Sequence, residues 1–239
     1  MNATISIMRR ELGAYFNTPI GYVIIVAFLL VSCAIYVDQL FIMGLAEMRP
    51  FLYYMPIYLM LFVPAISMLL WAEERKLGTM ELLMTMPLKT WHAVLGKYLA
   101  GLAFIVIMID FTLHLPLTLF ILGNPDIGTI IGGYLGMLVL AMVYLSIGSF
   151  ASSLTSDQII AFIIGLAINF LFWVMGFDGL LNIIKDFSPE LSTFVQRFGV
   201  QPHFESISRG VVDSRDVLYA LTVTGFFLFL NILVVERRR

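Results

Sequence analysis

The stretch "FLYYMPIYLMLFVPAISMLLWAEERKLGTMELLMTMPLKTWHAVLGKYLAGLAFIVIMID", residues 51–110, decides the fold class. Two long apolar runs flank a block that holds Glu73, Glu74, Arg75, Lys76, Glu81, Lys89 and Lys97. About 20 apolar residues are what a helix needs to cross a hydrocarbon core. Each run meets that length, and the block between them is too charged to lie in lipid. The pattern is span, aqueous segment, span.

The same test, carried outward, finds spans at 20–37, 51–72, 98–122, 127–154, 159–177 and 217–235. The third and fourth are parted only by "GNPD" at 123–126, where Gly, Asn and Pro break a helix. Composition agrees, with 60% hydrophobic residues, 13% charged and a mean hydropathy of +0.95. Soluble domains sit nearer half apolar and a quarter charged. The chain therefore reads as an all-α integral membrane protein with six transmembrane helices in one domain. A net charge of −2 with scattered basic residues excludes a nucleic-acid groove. The single cysteine, Cys33, excludes an intramolecular disulfide and any cysteine metal site.

Lys and Arg near span ends set the orientation. With the N-terminus inside, the inner segments hold Arg9, Arg10, Arg75, Lys76, Lys89, Lys97 and Arg237–Arg239, nine of the 14 basic residues. Both termini and the 73–97 block are thus expected in the cytoplasm. "LVSC" at 30–33 mimics a lipidation signal, but the apolar run continues past Cys33 and five spans follow, so no cleavage is expected. Residues 4–17 place Ile5, Met8, Leu12 and Tyr15 with Phe16 at helical spacing, with Arg9, Arg10 and Glu11 largely opposite. That pattern predicts an interfacial helix on the inner leaflet before Pro19 turns the chain into the bilayer.

Within the block, Gly78 breaks a helix, Thr79 can cap a new one, Glu81 favours its first turn and Pro87 stops it. The expected element is a two-turn helix over 80–86, with Met80, Leu83 and Met84 on one face. Methionine is an adaptable contact residue, so this face reads as a docking knob for a cytoplasmic partner; the plainer reading is a loop helix packed on its own bundle. No chemistry of catalysis is visible. "LGKY" at 95–98 lacks the upstream glycine and the hydroxyl of a phosphate-binding loop, and no zinc or triad pattern occurs. A non-catalytic chain is expected, with no cofactor or metal of its own.

The residues "EERKLGTMELLMTMPLKTWHAVLGKYLAG", 73–101, resemble the segment between spans two and three of ABC-2 type transporter permeases. "RRELGAYFNTPIGYVI", 9–24, and "HFESISRGVVDSRDVLY", 203–219, resemble the approaches to the first and last spans in the gliding-motility-associated (GldF-like) branch. The resemblance implies that the 80–86 helix is a coupling helix seated in a separate ABC ATPase subunit, which binds the ATP and Mg. It implies an assembly of two permease copies, a homodimer of twelve helices, lined chiefly by spans one, two and five. It implies a possible auxiliary membrane protein with a large periplasmic domain. Outward transport of a substrate is the function expected; mechanical work on an extracytoplasmic partner without transport is the alternative. The expected coupling residues are Glu73, Glu74, Arg75, Gly78, Thr79, Met80, Glu81, Leu83, Met84 and Pro87. Glu73, Glu74 and Arg75 read equally as docking charges or as an ordinary helix end at the headgroups.

Polar groups inside spans are costly and so informative. Asp110 and His114 stand at i,i+4 before Pro116, a spacing that allows a hydrogen bond. They read as a polar pin between helices in preference to a proton or substrate contact. Asn169 and Asn231 read as helix–helix hydrogen bonds. Gly128, Gly132 and Gly136 form a stripe for close packing within the bundle rather than a dimer seam. In the outer segment 178–216, residues 179–187 and 189–198 are amphipathic and too short to cross; by resemblance they are gate helices. The polar remainder, 201–216, reads as a partner contact or a solvated connector.

Overall fold

The computed structural model describes residues 3–44, 47–80, 89–123, 125–210 and 213–237, and among these every regular element is helical. The order is α1 (Ala3–Asn17), α2 (Pro19–Met43), α3 (Arg49–Lys76), α4 (Thr90–Asp110), a 3₁₀ turn (Phe111–Leu113) and α5 (His114–Leu122). It continues with α6 (Ile127–Leu154), α7 (Gln158–Val174), α8 (Asp178–Phe187), α9 (Pro189–Gln196), α10 (Val200–Ser208) and α11 (Ser214–Glu236). Five stretches are long and apolar enough to cross a bilayer: Pro19–Ile42, Arg49–Lys76, Thr90–Leu122, Ile127–Leu154 and Ser214–Glu236. A sixth is completed if α7 and α8, bent by 57° at their junction, form one broken span. This is a multi-pass membrane protein.

Helices α3 and α6 form the centre, with 72% and 61% of their apolar windows buried against 28–39% in the other spans. Lipid offers no hydrophobic drive for helix pairing, so small residues and hydrogen bonds must hold the two together. A Cβ on Gly148 would fall 2.8 Å from the Ser67 Cβ, and one on Gly133 would overlap Leu52. One turn beyond Gly148, the Ser152 hydroxyl accepts from the Trp71 and Ala72 N–H groups and donates to the Met68 carbonyl, each at 3.1 Å. Asn169 Nδ2 donates to the Tyr144 carbonyl at 3.5 Å, and Asn231 Nδ2 to Ser149 Oγ at 2.7 Å, so both asparagines do link helices. Helix α2 joins through Phe28 on Phe62 and Tyr36 on Phe51. Much of its remaining surface is exposed and apolar, including Val23, Val26, Leu30 and Phe41.

The capping chemistry follows the sequence. Asp126, Asp157, Ser188 and Asp213 accept backbone N–H groups at the starts of α6, α7, α9 and α11. The glycine stripe is filled from within the chain. A Cβ on Gly132 would meet the Ile207 carbonyl oxygen at 2.5 Å, and one on Gly136 would meet Phe204 at 3.2 Å. The 201–208 part of the expected connector is packed rather than solvated, since α10 buries Phe204 and Ile207 against the stripe, whereas Arg209, Gly210 and Asp213 to Arg215 are exposed. The polar composition of that segment hid two apolar residues at i,i+3.

Candidate functional site

The site is built where the last turn of α3 and the first turns of α4 meet the middle of α1. Helix α3 runs on past the apolar run to Lys76, bringing Glu73, Glu74 and Arg75 into its last turn. Helix α4 begins at Thr90, earlier than the hydropathy edge at 98 suggests, so Lys97 lies inside a helix rather than in a loop. It falls on the buried stripe Ala93, Val94, Lys97, Ala100, Gly101, Phe104 and is fully buried. On α1 the buried residues are Ile7 and Tyr15; of the expected stripe Ile5, Met8, Leu12 and Tyr15 with Phe16, Tyr15 is buried and Leu12 and Phe16 pack against the core, while Ile5 is 42% exposed and Ile7, off the stripe, is buried. Glu11 stands one turn from Ile7 and from Tyr15, on the side that faces α4.

Four charges converge there. Lys97 Nζ lies 3.1 Å from Glu11 Oε2 and 3.0 Å from Glu74 Oε1, with the Trp71 ring 5.2 Å away. Arg10, at the rim, pairs with Glu11 and with Glu74 at 3.1 Å. The two carboxylates are 14% and 16% exposed, Lys97 is fully buried and Arg10 is 52% exposed, so the two anions are shielded on the Lys97 side and open to solvent on the Arg10 side. Burial pushes the Glu11 carboxyl up, but the Lys97 charge and the Arg10 hydrogen bond outweigh it and hold the carboxyl below its usual range.

Further contacts clamp α1 in place. Tyr15 stacks on Phe104 and donates to the Ile66 carbonyl at 3.1 Å; Thr4 Oγ1 meets His92 Nδ1 at 2.9 Å. A Cβ on Gly96 would sit 2.8 Å from Ile7, so the glycine sets how closely α1 and α4 approach. Between α1 and the end of α3 a groove of about 370 Å³ remains, lined by Tyr15, Ile20, Leu69, Glu73, Leu77 and Thr79 among others.

Of the residues expected to couple, Glu74 is part of the cluster and Glu73 lines the groove. Gly78 ends the helix in a left-handed conformation, φ +71°, which favours glycine. Thr79 Oγ1 donates back to the Glu74 carbonyl at 3.3 Å, and Arg75 Nε to Met80 Sδ at 3.4 Å. Met80 is 8% exposed and joins the core. Glu81, Leu83, Met84 and Pro87 lie outside the described residues.

Asp110 and His114 are not brought together. Both are exposed, and His114 Nδ1 bonds the Phe111 carbonyl at 2.7 Å while Nε2 lies 3.8 Å from Cys33 Sγ. The 3₁₀ turn between them is the reason: at 3.0 residues per turn each residue advances about 20° more than in an α-helix, which rotates His114 away from Asp110. Pro116 fits that turn, since it has no N–H to offer the Thr112 carbonyl. Among the described residues no three His, Cys, Asp or Glu side chains are grouped to hold a metal.

The long central pair, the broken span and the charged junction are the setting for one comparison. The family described as "ABC-2 family transporter protein" matches residues 37–236. The chain belongs to the ABC-2 transporter family. It is accordingly a membrane transport component, and the match runs from span one to the end of α11. No curated protein matches the chain.

Proposed function

We propose that this ABC-2 chain is the non-catalytic, membrane-spanning subunit of an ATP-driven transporter, powered by a separate ABC ATPase that docks on the 77–89 block. Two copies form the working unit, and the substrate moves outward across a bacterial inner membrane. The block and both termini are cytoplasmic, in keeping with the distribution of Lys and Arg. The GldF-like branch is favoured by residues 9–24 and 203–219; an auxiliary protein with a periplasmic domain would then complete the complex.

The observation that carries the reading is the four-charge cluster that includes Glu74, three residues before the block begins at Leu77. A force applied to the block reaches Glu74 in the last turn of α3, and through Lys97 and Glu11 it reaches α4 and α1. Three helices are thus linked at the one place where a partner would push. Such pairs hold register because breaking one leaves a buried charge unpaired.

Co-purification tests the assignment. The chain is co-expressed with each ABC ATPase subunit of its own genome in turn, and Leu83→Asp or Met84→Asp is introduced. A charge pressed into an apolar interface costs several kcal/mol, so the ATPase is expected to be lost while the permease still inserts. Met68→Ala, inside α3, is expected to retain it. Full ATPase retention by both charged variants would refute docking at the block.

A further inference from the structure

At the opposite end of the bundle the first turn of α11 carries a buried acid. Asp213 caps the helix, and Asp216 beyond it is 5% exposed, its Oδ2 buried with no partner among the described residues. Its Oδ1 lies 2.7 Å from Nδ1 of His203 on α10. The other ring nitrogen, Nε2, lies 3.4 Å from the Arg197 carbonyl oxygen. Both nitrogens therefore face oxygen acceptors, and only the imidazolium form has an N–H for each.

The neighbours reinforce this. Tyr219, one turn along α11, stacks on the His203 ring at 4.0 Å and 18°, and its hydroxyl donates to the Phe198 carbonyl at 2.7 Å. Helix α6 presents Gly136, Val139, Leu140 and Val143 around the same point, none of them titratable. Glu205, the next acid on α10, is taken by Gln201 Nε2 at 3.1 Å and by Arg209 at 3.6 Å. Asp213 is occupied with the Arg215 N–H at 2.9 Å. No second cation contacts Asp216 among the described residues.

We propose that His203 and Asp216 form a proton-binding latch. With the proton bound, the segment 197–208 is clamped to the start of α11 and α10 stays seated on the glycine stripe of α6. Loss of the proton removes the cation that matches Asp216, turns an acceptor toward the Arg197 carbonyl, and loosens α10. That the latch senses the outside rests on the proposed orientation; that it binds a proton does not.

The test uses the full chain in sealed vesicles with Cys33→Ala and a single reporter, Ile207→Cys, buried under α10 in the latched state. Its maleimide labelling rate is divided by that of an exposed Ser214→Cys at each pH, which cancels thiol ionisation. The ratio is expected to rise at least about tenfold between pH 5.5 and 8.5, the scale of one charge-assisted hydrogen bond. His203→Asn keeps a donor but cannot titrate, so its ratio is expected to be flat with pH. Asp216→Asn is expected to be flat as well. A flat parental profile, or a parental slope in His203→Asn, would overturn the latch. Changing pH on one side at a time separates the two ideas: a response to internal pH alone would refute the orientation and leave the latch standing.

Discussion

Replacing Lys97 by Met should detach the N-terminal helix. The side chain is fully buried and contacts Glu11 and Glu74 at 3.1 and 3.0 Å. Methionine matches the length of the lysine stem, so packing against Trp71 is kept and only the charge is lost. Two nearly buried carboxylates are then left with Arg10 alone, itself 52% exposed and so a weaker partner. Removing one member of a buried ion pair costs about 3–5 kcal/mol. Arg10 offsets part of this, and about 3 kcal/mol is a reasonable floor, equal to a shift of about a hundredfold in the docking equilibrium of α1. The reporter is the Thr4–His92 contact at 2.9 Å. With both changed to Cys in a Cys33→Ala background, oxidative cross-linking should be fast in the parent and at least about tenfold slower with Lys97→Met. A cross-linking rate equal to the parent's would show that the cluster does not hold α1, and the force path through it would be wrong.

Other outcomes follow from the same geometry. The Glu11 carboxyl is held below its usual range, so docking of α1 is stabilised above the ordinary glutamate value of about 4.3 and lost as pH falls through the lowered value; the same cross-link should fade there, whereas Glu11→Gln should be weak at every pH. Gly132→Ala places a Cβ 2.5 Å from the Ile207 carbonyl and 2.8 Å from the Gly210 nitrogen, both backbone, so about 1–3 kcal/mol of overpacking should lower the melting temperature by several degrees. Gly225→Ala, with nothing within 4 Å, should not. Single cysteines at Lys89 and Lys185 should label from opposite sides of the membrane, and labelling of both from one side would refute the topology.

Hydropathy made the spans legible because lipid tolerates little else over about 20 residues. The charged junction was harder to read. Lys97 looks like a headgroup-facing residue until α4 is extended back to Thr90, where it falls among Ala93, Val94, Ala100 and Gly101. Its partner Glu11 carries the same signal, since Ile7, Glu11 and Tyr15 repeat at four-residue spacing. A charge on an apolar stripe in each of two helices was the available clue, and pairing them required the tertiary fold. Asp110 and His114 erred the other way. Their spacing is right for contact only in an unbroken α-helix, and the 3₁₀ turn before Pro116 removed it. The seating of α10 was hidden because glycine stripes reveal that something approaches, not which segment does.

The two ends of the molecule share one stiff element. Helix α6 carries Ser152, bonded to three backbone groups of α3 beside Trp71, and it also carries Gly132 and Gly136, on which α10 rests. Sliding α3 along α6 would break the Ser152 contacts and drive Gly148 against Ser67, so the pair resists shear and moves as a unit. Helices α1 and α4 are attached to that unit through the charge cluster and through Tyr15 and Tyr98, whose hydroxyls donate to the Ile66 and Met142 carbonyls at 3.1 Å. A push at the block therefore has two routes: it opens the charge cluster, or it tilts α3 and α6 together. Only the second reaches α10, because the stripe under Phe204 and Ile207 moves with α6. Under the proposed docking, the buried ion pairs would favour that second route by making the first expensive, which is the mechanical role we propose for the cluster.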